Sequence, residues 1–279
     1  MMRNTKRKVE MMKSRYAVCG NALRVFVSAA CIAAAGCQAV CGDAAKKGDC
    51  DSPRAAKDGL KVVVIAESCV TNRYVMSGRN ASNALAAAGY LPVVLPNIAD
   101  TNLLAAAMDR AYALVLTGSA KGNDYKVRTA FEHMLIGMAL ERGLPVLGFC
   151  HGHQCINKYF GGKIARMPQE RTPMIEHRSK QTPSVLHCFH MVDIKPGSRL
   201  AKTFGATRYK VNSSHSFSAT EIGEGLEVTA RADDGIVEAL EHKTLPVTGY
   251  QFHPEAIYDR DPRYLQAIRD AIEHPAARR

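Results

Sequence analysis

From Lys61 onward, apolar residues come in short runs separated by alanine-rich or amphipathic stretches. KVVVIA (61–66) is a continuous β-branched run, which predicts a strand covered on both faces. NASNALAAAG (80–89) predicts a helix stopped at Gly89, and LPVVLP (91–96) a second strand. TNLLAAAMDR (101–110) predicts a helix with Thr101 as its N-cap, and YALVLTG (112–118) a third strand. In TAFEHMLIGMALERG (129–143), Phe131, Leu135, Met138 and Leu140 recur at helical spacing before an Arg142-Gly143 stop. PVLGF (145–149) predicts a fourth strand and residues 151–160 the helix behind it. Strands that alternate with helices imply a mostly parallel central sheet with helices on both faces.

The second half has a different rhythm. SVLHCFHMVDI, RYKVNSS, LEVTARA, IVEALEH and PVTGYQFH are short alternating runs with few helices between them. They predict antiparallel C-terminal strands that extend or flank the sheet. PRYLQAIRDAIEH (262–274) predicts a closing helix. The reading is one α/β domain over residues 60–279.

The first 59 residues lack this pattern. Residues 1–36 carry seven Lys/Arg and one Glu, which is +6 of the net +11. A basic segment, from Arg3 to Arg24, precedes the apolar run VFVSAACIAAAG (25–36), which is too short to span a bilayer and suits a signal-peptide core. A start at Met11 or Met12 would give the basic segment a more usual length. Ala34-Ala35-Gly36 before Cys37 resembles a bacterial lipoprotein signal, with Cys37 lipidated, although Ala34 stands where leucine is usual. A cleaved signal without lipid and a buried N-terminal helix remain alternatives. Residues 37–59 are small, charged and aperiodic, as expected of a flexible tether. Cys41 and Cys50 are either a disulfide pair or two free thiols. The expected location is exported: periplasmic, or membrane-anchored through Cys37.

With the leader set apart, the rest of the chain carries only +5 and no Lys/Arg stripe interleaved with aromatics, so nucleic-acid binding is set aside. The nine cysteines include no CxxC pair. Cys150, His151, His153 and Cys155 fall on different helix faces, so no metal set is read there. His153 is read as a core or supporting histidine. His177, His187 and His190 are read as surface or core packing.

The chemistry centres on Gly148-Phe149-Cys150-His151-Gly152, which has the form of a strand-to-helix nucleophile elbow. Such a turn needs flanking glycines and projects the sulfur above the C-terminal sheet edge, where ligands bind. The following helix N-terminus favours a thiolate. In GYQFHPEA (249–256), His253 and Glu255 are two apart and share a side of an extended segment. Glu255 can then orient His253 as base for Cys150. The strand end LTGSAKGNDY (116–125) offers Gly118, and with the N–H of His151 it forms the expected oxyanion hole.

The elbow, GSAKGNDY, KVNSSHSF and GYQFHPE, in this order, resemble the class I glutamine amidotransferase-like superfamily. NALAAAGYLPVVLP, AFEHMLIGMALERGLPVLGFC, QCINKYFGG and VEALE are most similar to its gamma-glutamyl-gamma-aminobutyrate hydrolase family, over residues about 60 to 260. The resemblance implies a flavodoxin-like three-layer fold and a thiol hydrolase that cleaves gamma-glutamyl amides through a thioester on Cys150. It implies His253 as base and Glu255 as its orienter. It also implies substrate contacts at Gln154 and along His215, Ser216 and Phe217, a small gamma-glutamyl substrate, and no cofactor. The chain departs from the family at His151, where Arg is usual, and at Ser216 and Phe217, where His and Gln are usual. The loop between Gly118 and Phe131 is short for the family, and CHGHQ is closer to the glutaminase form. A glutaminase that supplies a synthase, and a non-catalytic binding lipoprotein, stand as alternative functions.

Overall fold

The computed structural model describes residues 61–273 except 68–74, 99, 120–124, 169, 171–172 and 180–185. The leader, the tether, Cys37, Cys41 and Cys50 lie outside the described residues. The first half alternates as β1 (Val62–Glu67), α1 (Val75–Ala87), β2 (Leu91–Pro96), α2 (Thr101–Met108), β3 (Ala113–Leu116), α3 (Tyr125–Glu141), β4 (Val146–Phe149) and α4 (His151–Tyr159). Then come β5 (Lys163–Arg166), β6 (Phe189–Ile194), α5 (Arg199–Phe204), β7 (Arg208–Asn212) and β8 (Phe217–Glu221). The chain closes with β9 (Leu226–Ala232), β10 (Val237–His242), β11 (Val247–Tyr250), a 3-10 turn (Pro254–Ala256) and α6 (Pro262–Ile272).

One nine-stranded sheet runs in the order β2-β1-β3-β4-β11-β10-β9-β6-β7. From β2 to β11 the pairings are parallel. From β11 to β7 they are antiparallel. β5 and β8 form a separate antiparallel pair.

The unbroken apolar runs of β1 and β3 are explained by burial on both faces. Val63, Ile65, Val115 and Leu147 pack with Ala81, Ala84 and Leu85 of α1 and Ala267, Ile268 and Ala271 of α6. Their neighbours Val64, Ala66, Leu114 and Leu116 face Leu104 and Met108 of α2 and Phe131, Leu135 and Ile136 of α3. Each such side chain contributes about 1.5–3 kcal/mol when taken from water, so a one-residue slip in register would expose both sets.

The structure differs from the sequence reading at three places. α2 is capped by Asp100, not Thr101, because the Asp100 carboxylate accepts hydrogen bonds from the N–H groups of Asn102 and Leu103 at 2.9 and 3.2 Å. The run SVLHCFHMVDI becomes a strand only from Phe189. β11 was expected to be antiparallel, yet it pairs in parallel with β4 and is antiparallel only to β10. Its register sets Tyr250 beside Phe149, so the segments that leave both strands emerge side by side. That insertion carries residues 251–255 to Cys150.

Candidate active site

Cys150 sits at the turn from β4 into α4 with φ 49° and ψ −98°. It is the one non-glycine residue with positive φ among the described residues. Such a backbone is costly and persists only where the surroundings enforce it. Here its N–H donates to the Tyr250 carbonyl at 2.7 Å, and its carbonyl accepts the Gln154 N–H at 3.1 Å. The flanking glycines work by close approach: a Cβ on Gly148 would come 2.5 Å from the Gly152 carbonyl carbon, and one on Gly152 would come 2.3 Å from the Leu116 oxygen. The helix can therefore pack down on the strands only without side chains there.

His253 follows β11 and is buried, with 7% exposure, beside Cys150, which is 6% exposed. The His253 ring nitrogen Nδ1 lies 2.7 Å from Glu255 Oε1. The carboxylate accepts, so Nδ1 carries the proton and Nε2 is left for the sulfur. Nε2 has no partner at ordinary hydrogen-bond geometry. Burial disfavours a charged ring, but the neighbouring Glu255 and Cys150 outweigh it and raise the His253 pKa well above its ordinary value. The His253 backbone is held by Asn212 at the end of β7. The Asn212 Nδ2 donates to the His253 carbonyl at 2.9 Å, and the His253 N–H donates to Asn212 Oδ1 at 3.0 Å.

Gly118 borders both residues: a Cβ there would lie 3.0 Å from His253 Cε1 and 3.8 Å from Cys150 Cβ. Its strand end is tied by Arg128, which donates to the carbonyls of Thr117 at 2.9 Å and Gly118 at 3.2 Å. Arg128 also pairs with Glu132 at 2.8 Å, and the other Glu132 oxygen meets His151 Nε2 at 2.7 Å. Burial opposes the Glu132 charge, but the neighbouring His151 and Arg128 pull its pKa down to about 2. The His151 ring is thus held by Glu132 beneath the elbow, while its backbone begins α4. Glu132, His151 and Cys155 lie close enough to share a metal, but the Arg128 cation already occupies the carboxylate.

Gln154 and Phe217 come together: Gln154 Nε2 donates to the Phe217 carbonyl at 2.9 Å and to Gln251 Oε1 at 3.0 Å. Ser216 lies on the same bend, and its carbonyl accepts the Met167 N–H at 3.0 Å. The His215 side chain does not join them at the Cys150 site; it is buried among His177, His190 and Glu238. His153 is a fully buried core histidine packed on the Gly249 backbone, and burial lowers its pKa to about 4. Cys155 and Cys188 are also buried free thiols, and burial raises both pKa values, that of Cys188 to about 11. They lack the setting of a reactive thiol.

Residues 61–255 match the family model for peptidase C26. The chain belongs to the peptidase C26 family. Among relatives, this peptidase C26 chain is 33% identical over 162 residues to the glutamine amidotransferase-like protein YvdE of Lactococcus lactis, covering 53% of this chain and 67% of that one. It is 35% identical to anthranilate synthase component 2 of Azospirillum brasilense, covering 44% of this chain and 56% of that one. It is 30% identical to the gamma-glutamyl-gamma-aminobutyrate hydrolase PuuD of Escherichia coli K12, covering 62% of this chain and 76% of that one. The chain thus spans little more than half of the anthranilate synthase component. A glutamine amidotransferase from Thermotoga maritima shares the fold, with TM-score 0.53 and 16% identity over 77% of this chain and 85% of that one. The resemblance read from the motifs is borne out, and the protein is a class I glutamine amidotransferase-like hydrolase.

Several residues of this peptidase C26 site escaped the sequence reading. Asn212 lay inside the quoted KVNSSHSF, but nothing local marks it as a clamp on a residue 41 positions away. Arg128 and Glu132 carry the i,i+4 signal of a helical ion pair, which alone gives no hint that it reaches the elbow. His177, His190, His215 and Glu238 come from four separate segments and share no sequence spacing. His187, read with them, is exposed.

Proposed function

We propose that this peptidase C26 protein hydrolyses gamma-glutamyl amide bonds through a thioester on Cys150. One observation carries the reading: His253, bound to Glu255 at 2.7 Å, lies buried against Gly118 together with a cysteine on a strained elbow. In the first half-reaction the Cys150 sulfur adds to the gamma-carbonyl carbon, with its proton held by His253. The C–N bond then breaks, and His253 gives the proton to the leaving amine. In the second, water loses a proton to His253 and adds to the thioester; the C–S bond breaks and the thiol is restored. The developing oxyanion would rest near Gly118 and the His151 N–H, where one lost donor typically costs about 2.7–4 kcal/mol. Gln154 and the 215–217 bend, tied together by the Gln154–Phe217 hydrogen bond, would hold the glutamyl end. The PuuD name supports the gamma-glutamyl class, and the leader supports an exported protein that uses Cys37 as a membrane tether.

A panel of gamma-glutamyl amides, with gamma-aminobutyrate, oligoglutamate and wall-peptide leaving groups, tests the reading. Turnover that falls by about a thousandfold or more in Cys150→Ala is expected; equal turnover by the variant would sink the mechanism. The likeness to anthranilate synthase component 2 favours a second reading, glutaminase action for a synthase. Ammonia release from glutamine that rises with an added synthase partner would select it. A non-catalytic binding role would show as binding of gamma-glutamyl compounds without turnover.

A further inference from the structure

We propose that His177, His190, His215 and Glu238 form a structural zinc site beside the catalytic elbow. The inference is independent of the gamma-glutamyl reading. All four residues are buried, and their ligand atoms lie within 4.8 Å of one another. Glu238 Oε1 is 3.2 Å from His177 Nδ1, 3.2 Å from His215 Nε2 and 3.4 Å from His190 Nε2. His177 Nδ1 and His215 Nε2 are 3.2 Å apart. A tetrahedron with metal–ligand bonds of about 2.0–2.1 Å has edges of about 3.3–3.4 Å. These four edges of the cluster therefore have the size that holds zinc.

The outer nitrogen of each ring fixes what the inner one offers. His177 Nε2 meets both oxygens of Asp234, at 3.2 and 3.1 Å. His215 Nδ1 meets the Phe217 carbonyl at 3.1 Å, and His190 Nδ1 meets the Met191 carbonyl at 3.2 Å. These partners only accept, so each outer nitrogen must carry the proton. In the neutral rings all three inner nitrogens are then lone pairs, aimed at one another and at a carboxylate. Lone pairs so arranged repel unless a cation sits among them. Outer hydrogen bonds of this kind are what metal-ligating histidines show. Glu238 Oε2 is buried without a hydrogen-bond partner and His190 Nε2 has only the long 3.4 Å contact to Glu238 Oε1, so the polar capacity of the cluster is unfilled. Three imidazoles and a carboxylate suit zinc, and four protein ligands leave no open position, which marks the site as structural. Glu238 and Asp234 together balance the two positive charges.

The site would pin segments that lack regular structure. His177 lies in the stretch before β6, and its carbonyl accepts both the His215 N–H and the Ser213 hydroxyl. The bend 213–217 between β7 and β8 also supplies the carbonyl that Gln154 holds.

The test uses the full chain, stripped with a chelator and titrated separately with Zn2+ and Co2+. One equivalent of zinc with Kd below about 1 µM is expected, together with the intense visible bands of tetrahedral Co2+. Asp234→Asn should weaken zinc about 10–100-fold while keeping the fold. His190→Ala should remove the one-to-one binding, and Cys150→Ala should leave it unchanged. Absence of stoichiometric binding to the wild type would overturn the site in favour of a cluster that shares protons. So would binding that survives both His190→Ala and Asp234→Asn.

Discussion

Asn212→Ala probes how His253 is held. Asn212 is fully buried and makes two hydrogen bonds to the His253 backbone, at 2.9 and 3.0 Å. Its truncation strands one buried N–H and one buried carbonyl. Each stranded group costs about 1–3 kcal/mol, so about 2–6 kcal/mol of stability is at stake against a total of about 5–15 for a typical domain. Asn212→Asp keeps the acceptor for the N–H but turns an oxygen toward the His253 carbonyl, so it recovers one bond and not the other. A shift of His253 by about 1 Å can cost about a hundredfold in rate. Stability is read by urea unfolding and the Cys150–His253 coupling by the pH profile of iodoacetamide labelling, followed by mass on the Cys150 peptide. Both should change in Asn212→Ala, with Asn212→Asp intermediate in stability. A variant within about 0.5 kcal/mol of the wild type, with the same labelling profile, would refute the clamp.

Glu255→Gln removes the main support for a charged His253, so Cys150 labelling below neutrality should slow and kcat should fall more than KM rises. Glu132 is held near pKa 2 against an ordinary 4.5, so its contribution of roughly 3 kcal/mol is present above pH 4.5 and lost as pH falls from there toward 2. Glu132→Gln should flatten that acid limb in unfolding measurements, and an unchanged slope would count against the network. Gly152→Ala puts a Cβ 2.3 Å from the Leu116 oxygen and should destabilise by about 1–3 kcal/mol or more, visible as a lower melting temperature and lost activity. Cys37→Ser should move the protein from membranes to the soluble fraction; a wild type already soluble would count against lipidation.

The inner strands of the first half were legible because burial on both faces leaves a run with no polar break, as in β1 and β3; β2, at the sheet edge and largely exposed, was legible only from its own apolar run. The elbow was legible because its steric demand is local, and Gly148 and Gly152 lie within two residues of Cys150. His253 and Glu255 were readable as a pair because their spacing sets their geometry. Their approach to Cys150 was not readable from alternation, because it depends on β11 entering the sheet in parallel beside β4. His151 departed from the family pattern without a visible reason; Glu132, 19 residues earlier, supplies one as the partner that holds its ring. The His177–Glu238 cluster was invisible for the same reason, since its members meet only through sheet topology.

The central claim is that Cys150 carries the acyl group. Rapid acid quench of the wild type with a gamma-glutamyl amide, followed by mass analysis of the Cys150 peptide, tests it directly. The account predicts a transient gamma-glutamyl adduct on Cys150 that forms and decays at rates compatible with turnover. Turnover with no adduct on that peptide, and none trapped by hydroxylamine as the gamma-glutamyl hydroxamate, would contradict it.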